Sequence, residues 1–283
     1  MAAPSATGSA PAPVADAAWT DPLLTNPHAV ADKRSRVQKM FAAIAPSYDL
    51  NNRLHSFWRD QAWRRKAVKL AELKPTDVVV DVACGTGDLT LAFAKGLERV
   101  HANSGGRGRP LNGDGVESAP RVIGVDFTFQ MLPIAATKSA VGDRQSAIYL
   151  NGDAQALPLP DACCDVVSIA FGVRNVQDIP QALREFRRVL RPGGRVIVLE
   201  FSEPRNRVLR TLNRFYCGQV MPRTATWISG DRSGAYKYLP KSIETFIDRE
   251  KMASLMADAG FGRITQHPMT FGVCVCYRGV VAG

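Results

Sequence analysis

The chain has 283 residues, 46% of them hydrophobic and 22% charged, with a formal net charge of +10. No apolar run approaches the roughly 20 residues of a membrane-spanning helix. The cysteines (Cys84, Cys163, Cys164, Cys217, Cys274, Cys276) show neither a CxxC pair nor a framework spacing, which argues for reduced thiols and against a disulfide scaffold or a zinc site.

Residues 1–30 are rich in Ala, Pro, Ser and Thr and lack apolar periodicity, so a disordered tail is expected there and a single domain over 31–283. The first 31 residues hold no Lys or Arg and no apolar core of the kind found in secretory signals or Arg-rich transit peptides, and a cytoplasmic protein is expected. Val37, Met40, Phe41 and Ile44 share one face of a predicted helix that stops before Pro46, inside a helical lid spanning 33–72. From residue 77 onward strands and helices alternate, the signature of an α/β fold with a mainly parallel sheet and helices on both faces. Seven strands are predicted: 78–83, 121–126, a weak third near 148–150, 166–171, 195–201, and two terminal ones near 262–267 and 271–278. A helix over 88–97 follows the first strand. A second carries the stripe Ile179, Ala182, Leu183, Phe186, Val189 and Leu190 and is stopped by Pro192-Gly193-Gly194. A third carries Met252, Leu255, Met256 and Ala259 and ends at Gly260.

Two segments interrupt this rhythm. Residues 101–120 are rich in Gly, Ser and Pro and are expected to form a flexible insertion. Residues 204–223 carry Arg205, Arg207, Arg210, Arg214 and Arg223 with no acid, interleaved with Leu209, Leu212, Phe215, Tyr216, Val220 and Met221. Such a basic amphipathic cap either meets an anionic membrane or lies as a lid whose apolar side covers a pocket.

The strongest chemical signal is Asp81-Val82-Ala83-Cys84-Gly85-Thr86-Gly87-Asp88, directly after the first strand. Gly85 and Gly87 let the chain turn sharply and let a ligand lie against bare backbone. The helix behind them offers unpaired N–H groups. Thr90 stands where a dinucleotide-binding turn has its third glycine, which weakens a dinucleotide site. Asp126 ends the second strand and can accept hydrogen bonds from both hydroxyls of a ribose; the plainer alternative is a loop acid. Asp153 and Ala154 follow the third strand, and Phe127 is placed either to pack on a base or to join the core. The turn is similar to motif I of the class I methyltransferases, which receives the amino-acid part of S-adenosylmethionine (SAM). That resemblance, with the two acids behind it, makes SAM the expected cofactor and a Rossmann-like class I methyltransferase the expected architecture.

After the fourth strand the chain reads Phe171-Gly172-Val173-Arg174-Asn175-Val176, not the Asn/Asp-Pro-Pro-Tyr/Phe turn common in enzymes that methylate amino groups of nucleic acids. No Pro-Cys dipeptide supplies a cytosine-attacking thiol, and no acid cluster for a catechol-type metal site is found, so no metal is expected. Separated stretches instead match another pattern over about residues 37–280. They are Phe41-Ala42-x-Ile44-Ala45-x-x-Tyr48-Asp49 leading to Asn52, Ser56 and Trp63; Phe171-Gly172-Val173-Arg174-Asn175; Arg188 through Gly194 running on to Glu200-Phe201-Ser202; and Tyr238-Leu239-Pro240-x-Ser242-Ile243 with Arg278-Gly279. In these the chain resembles the ubiquinone/menaquinone biosynthesis C-methyltransferase family.

The resemblance implies a prenylated quinol as substrate, demethylmenaquinol ahead of a methoxy-benzoquinol, and SAM contacts at Thr86, Asp126, Asp153 and Ala154. It also implies departures: Ala170 stands where the family has a serine, Asn51 and His55 where methionines are usual, and Asp60 where a histidine is usual. Arg174 is the first catalytic candidate, its guanidinium stabilising a phenolate or polarising a water; the alternative is an arginine bridging a buried carboxylate. Asn175 can orient the same water, and Tyr48 with Asp49 is expected in a lid over the cofactor pocket. His55 is a candidate base by residue type alone, but the resemblance gives it no role. The full expected cofactor set is Asp81, Gly85, Thr86, Gly87, Asp126, Phe127, Asp153, Ala154 and Ala170. Two other readings stay open: a methyltransferase for a different small hydrophobic acceptor, and a basic RNA-binding module with a degenerate cofactor fold. The intact Gly85, Gly87 and Asp126 weigh against the second.

Overall fold

Seven strands, β1 Val79–Val82, β2 Val122–Asp126, β3 Ile148–Asn151, β4 Cys164–Ala170, β5 Leu190–Phe201, β6 Phe261–Met269 and β7 Cys274–Val281, build one sheet in the order β3-β2-β1-β4-β5-β7-β6. The first five run parallel, and β7 is antiparallel to both its neighbours. The computed structural model describes residues 19–104, 121–140, 147–230 and 233–283. Three helices precede the sheet: α1 Lys33–Ile44, α2 Tyr48–His55 and α3 Arg59–Leu70. The crossovers are α4 Asp88–Asn103, α5 Leu132–Ser139 and α6 Ile179–Val189. Between β5 and β6 the chain forms α7 Arg207–Phe215, α8 Met221–Ser229, α9 Ala235–Glu244 and α10 Arg249–Asp258.

Strand alternation sets the two core layers. Along β5, Val196 and Val198 point into one layer with Leu183, Phe186, Met252 and Met256 of α6 and α10. Ile197 and Leu199 point into the other with Trp63, Ala67, Leu89 and Phe93 of α3 and α4. Because both faces are covered, these strands read as unbroken apolar runs, and each large side chain buried this way contributes about 1.5–3 kcal/mol. The stripe read from α6 packs as expected, and Asp178 caps that helix by accepting from the Gln181 N–H at 2.9 Å. No helix among the described residues is long and apolar enough to cross a membrane.

Three expectations need correction. The tail expected over 1–30 does not extend to residue 30: residues 1–18 lie outside the described residues, and from Trp19 the chain is packed. Trp19 is buried and stacks on Tyr238 with ring centroids 4.3 Å apart, and Leu24 joins Val37, Met40 and Ile44 in a third apolar cluster. Composition missed this because one tryptophan outweighs its polar neighbours once a partner more than 200 residues away is in reach. The flexible insertion expected over 101–120 does not begin at 101, since α4 continues to Asn103; the rest of that expectation, residues 105–120, lies outside the described residues. Leu190 belongs to β5, not to the helix before it: it pairs with Cys164, and the Pro192-Gly193-Gly194 stop falls within an irregular stretch before Arg195 pairs with Val166.

Candidate active site

The site lies at the carboxyl ends of β1, β2 and β4, where the strand order reverses and the loops leaving neighbouring strands part to leave a crevice. Two non-glycine residues hold left-handed backbone on its rim, Ala83 after β1 (φ 51°) and Phe171 after β4 (φ 56°). Such conformations cost on the order of 1–3 kcal/mol and collect at ligand sites. The two loops can touch because residue 172 is glycine: a Cβ there would stand 2.6 Å from that of Ala83. Gly85 is also left-handed (φ 54°), and a Cβ on it would meet nothing within 4 Å, so this backbone faces open space on the cavity side.

Asp126 faces that same space from the end of β2. Its Oδ2 accepts from the Gly85 N–H at 2.8 Å and its Oδ1 from the Thr128 N–H at 2.7 Å. A carboxylate has about four lone-pair sites, so two acceptor positions remain for hydroxyl donors. Burial raises its pKa to about 6, against the pull of those two amides. Across the cavity Asp153 is held by Arg34, with Nη2 to Oδ2 at 2.9 Å, and the Arg34 guanidinium lies 4.5 Å from the centre of the Phe127 ring. Phe127, Asp153, Ala154 and Ala170 all line the cavity, as do Tyr48 and Asn175. The arrangement can hold a nucleoside between an aromatic ring, two acids and bare backbone.

Not every expected residue faces it. Asp81 lies beneath the turn, fully buried, its oxygens taken by Thr90 Oγ1 and Ser168 Oγ, both at 2.6 Å; burial raises its pKa to about 6. It braces β1, β4 and α4 under the cavity and does not line it, unlike the placement expected from the sequence. Gly87 points at Tyr149, whose hydroxyl would lie 2.8 Å from a Cβ there. Thr86 turns to the lid and donates to Asp49 Oδ1 at 2.5 Å. Lys138 of α5 completes that junction, binding Asp49 at 2.7 Å and Asp88 at 2.5 Å. Burial works against charge on Asp88, but Arg64 and Lys138 outweigh it and hold its carboxyl below the usual range.

Arg174 also differs from the first expectation and takes up the alternative. Its side chain is 3% exposed and Nη1 binds Glu200 Oε1, itself 1% exposed, at 2.7 Å. The same nitrogen donates to the Phe171 carbonyl at 2.6 Å, and Nε donates to Ser242 Oγ at 3.2 Å. The guanidinium therefore lies behind the cavity wall, fixing the 171–175 turn from the rear. Asn175 projects forward from that turn, its Oδ1 accepting from the Tyr238 hydroxyl at 2.8 Å. Two of the matched stretches, 171–175 and 238–243, thus meet side chain to side chain. His55 is outside the site, bonded to the Asn51 carbonyl and to Thr224 Oγ1.

Sequence reasoning missed Lys33. It is 2% exposed, and its ammonium donates to the Arg174 carbonyl at 2.9 Å and the Val176 carbonyl at 2.8 Å. Burial, then the nearby Arg174, lower its pKa to about 8. A signal existed: Lys33 heads the stripe Val37, Met40, Ile44 at helical spacing. Arg34 and Lys138 left no comparable trace.

Comparison with known proteins places this geometry. Residues 29–281 match the model of the ubiE/COQ5 methyltransferase family. The chain belongs to that family. It is 42% identical to the demethylmenaquinone methyltransferase of Thermus thermophilus, over 85% of this chain and 99% of that one. It is 38% identical to the ubiquinone/menaquinone biosynthesis C-methyltransferase UbiE of Geobacter sulfurreducens, over 88% of this chain and 90% of that one. A SAM-dependent methyltransferase from Thermotoga maritima shares the fold at 21% identity, with a TM-score of 0.52, over 86% of this chain and 98% of that one. As a UbiE-family member the protein is a SAM-dependent C-methyltransferase with the class I fold, and the reading of it as a degenerate RNA-binding module falls away.

Proposed function

We propose that this enzyme methylates a ring carbon of a prenylated quinol, with demethylmenaquinol preferred to a methoxy-benzoquinol. Relatives at 42% and 40% identity are named demethylmenaquinone methyltransferases, and these supply the preference. The observation that carries the reading is Asn175, which faces the cavity with its carbonyl oxygen engaged by Tyr238. An amide held this way has N–H donor capacity left for a substrate oxygen.

Bound SAM supplies an electrophilic methyl group. In this reading Gly85 gives bare backbone to its amino-acid part, Asp126 accepts its ribose hydroxyls, and Phe127, Asp153 and Ala154 border the adenine. Ala170 contributes backbone alone, having no hydroxyl. Opposite, Tyr48 of the lid and Asn175 orient the quinol, which becomes nucleophilic at carbon once a ring hydroxyl loses its proton. Val37, Phe41, Phe171 and Val176 line the same cavity and keep water from competing for the methyl group. Arg174 is a positioning residue, holding Asn175 in a near-attack arrangement without touching the ring.

The test supplies purified protein with methyl-labelled SAM and, separately, reduced demethylmenaquinol, a methoxy-benzoquinol and RNA. Label should enter the naphthoquinol fastest. Label found only in RNA, or in none of the three, would overturn the reading.

A further inference from the structure

A run of exposed apolar side chains lies on elements outside the cavity. Neither α7 nor the π turn that continues it, Tyr216–Val220, contains a buried residue. Val208, Leu212 and Phe215 follow one another at helical spacing and are each at least 60% exposed. On α8, Trp227 is 86% exposed. A second aromatic pair stands beside this arm at the α2–α3 turn: Phe57 and Trp58, both exposed, both on left-handed backbone (φ 52° and 58°). The Phe57 ring lies 5.9 Å from that of Tyr216, whose hydroxyl donates to the His55 carbonyl, so turn and arm form one surface.

We infer that this face, Phe57, Trp58, Val208, Leu212, Phe215 and Trp227, docks on an anionic lipid bilayer. Charge selects that occupant. Residues 204–230 hold five arginines and no Asp or Glu, and Arg59, Arg65 and Lys66 follow the aromatic turn. Within the arm Arg214 is paired with Glu203 and Arg205 with Glu250, but Arg207, Arg210 and Arg223 are in no ion pair among the described residues. On α7, arginines 207, 210 and 214 fall on the side of the helix away from the apolar stripe, the pattern of a helix lying in the headgroup region. Exposed Trp and Phe beside arginine stems suit the same boundary. A second copy of the chain is the poorer occupant, because two such faces would bring the unpaired Arg207, Arg210 and Arg223 of one against those of the other. Residues 1–18 are poorer still, since Met1 and Val14 are their only large apolar side chains.

The surface also lies on the way to the site. α2 carries Tyr48, which lines the cavity, at one end and His55, which bonds to α8, at the other. Seven helical steps separate them, about 10 Å. A lipid-soluble acceptor of the kind proposed above could pass from bilayer to cavity along that helix; this last step rests on that reading, whereas the docking face does not.

The experiment sediments the full chain with vesicles of phosphatidylcholine alone or mixed with phosphatidylglycerol, at low and high salt. Methyl transfer to a demethylmenaquinol analogue with a truncated, water-soluble side chain is measured alongside. Wild type should bind the anionic vesicles and be released by salt. Trp58→Ser/Trp227→Ser and Leu212→Gln/Phe215→Gln should each weaken binding at least about tenfold, and Arg207→Gln/Arg210→Gln should weaken it roughly fivefold per charge removed. All should methylate the soluble analogue like wild type. Equal binding to neutral and anionic vesicles, variants that bind like wild type, or a dimer in light scattering that these variants dissociate would each overturn the docking face. If the analogue is methylated but vesicles are not bound, this inference fails and the proposed substrate stands. If vesicles are bound but no quinol is methylated, the reverse holds.

Discussion

Replacing Arg174 by methionine separates a positioning role from direct chemistry. The substitution leaves Glu200, 1% exposed, with only the Phe201 N–H at 2.8 Å and the Arg174 N–H at 3.3 Å as donors. Burial already pushes the Glu200 carboxyl above its usual range, and Arg174 is the main group holding it down. Removing one partner of such a pair costs about 3–5 kcal/mol, which for a chain of this size lowers Tm by about 6–20 °C. Because Glu200 can take up a proton, the loss should shrink as pH falls. Adding Glu200→Gln should return much of it, since the buried charge is then gone and the two remaining amide donors are kept in reach of an acceptor. The assay is thermal unfolding of the two single variants and the double variant, with SAM affinity by calorimetry and turnover on the quinol. Turnover should fall along with SAM affinity, because Phe171 and Asn175 sit on the same turn as Arg174. If Arg174→Met melts within about 2 °C of wild type, binds SAM normally and yet has no turnover, the guanidinium acts on the reacting ring and the positioning argument is wrong.

Further outcomes follow from other contacts. Lys33→Met strips the Arg174 and Val176 carbonyls of their buried donor and should cost about 1–3 kcal/mol, read as a lower Tm together with weaker quinol binding. Trp19→Ala should cost about 3–5 kcal/mol; no change in Tm would mean the chain is tail-like there, as its composition suggested. SAM affinity should decline as pH falls through about 6, because Asp126, its pKa raised by burial, is then protonated and loses acceptor capacity. Calorimetry between pH about 7.5 and about 5 checks this, and Asp126→Asn should abolish the pH dependence. The same upward shifts at Asp81 and Asp126 mean the folded state binds more protons than the unfolded one between about 4 and about 6, so their contribution to stability falls as pH rises across that window. Asp81→Asn should flatten the corresponding slope of Tm against pH.

The sheet was readable because its signals are local and repeated. Apolar runs placed β1 and β2 to within one residue at each end and β4 to within two, and the α6 stripe placed a whole face of the core. That Gly85, Asp126, Asp153 and Ala154 face one cavity was readable for the same reason, since each lies at the end of a strand or within three residues of it. What could not be read depends on contacts across the chain. Whether Asp81 faces a ligand or the core is decided by Ser168, on another strand. Arg174 matched a motif, but its partner Glu200 is 26 residues away in sequence, and only packing reveals that the two charges are sealed together. Lys33 carried a legible hint, a lysine in register with an apolar stripe, which reads as a solvated helix start until its two carbonyl acceptors are in view.

The stacking of Trp19 on Tyr238, with His28 Nε2 bonded to the Ser242 carbonyl across 214 residues of sequence, has a consequence for synthesis. Residues 19–28 cannot take their places until α9 has emerged from the ribosome. Nor can Asn175, held by the Tyr238 hydroxyl, be fixed before then. The parallel core from β1 to β5 can assemble while the chain is still growing, so the part of the cavity framed by β1, β2 and β4 is outlined early, and the Asn175 wall is fixed only once α9 has been made.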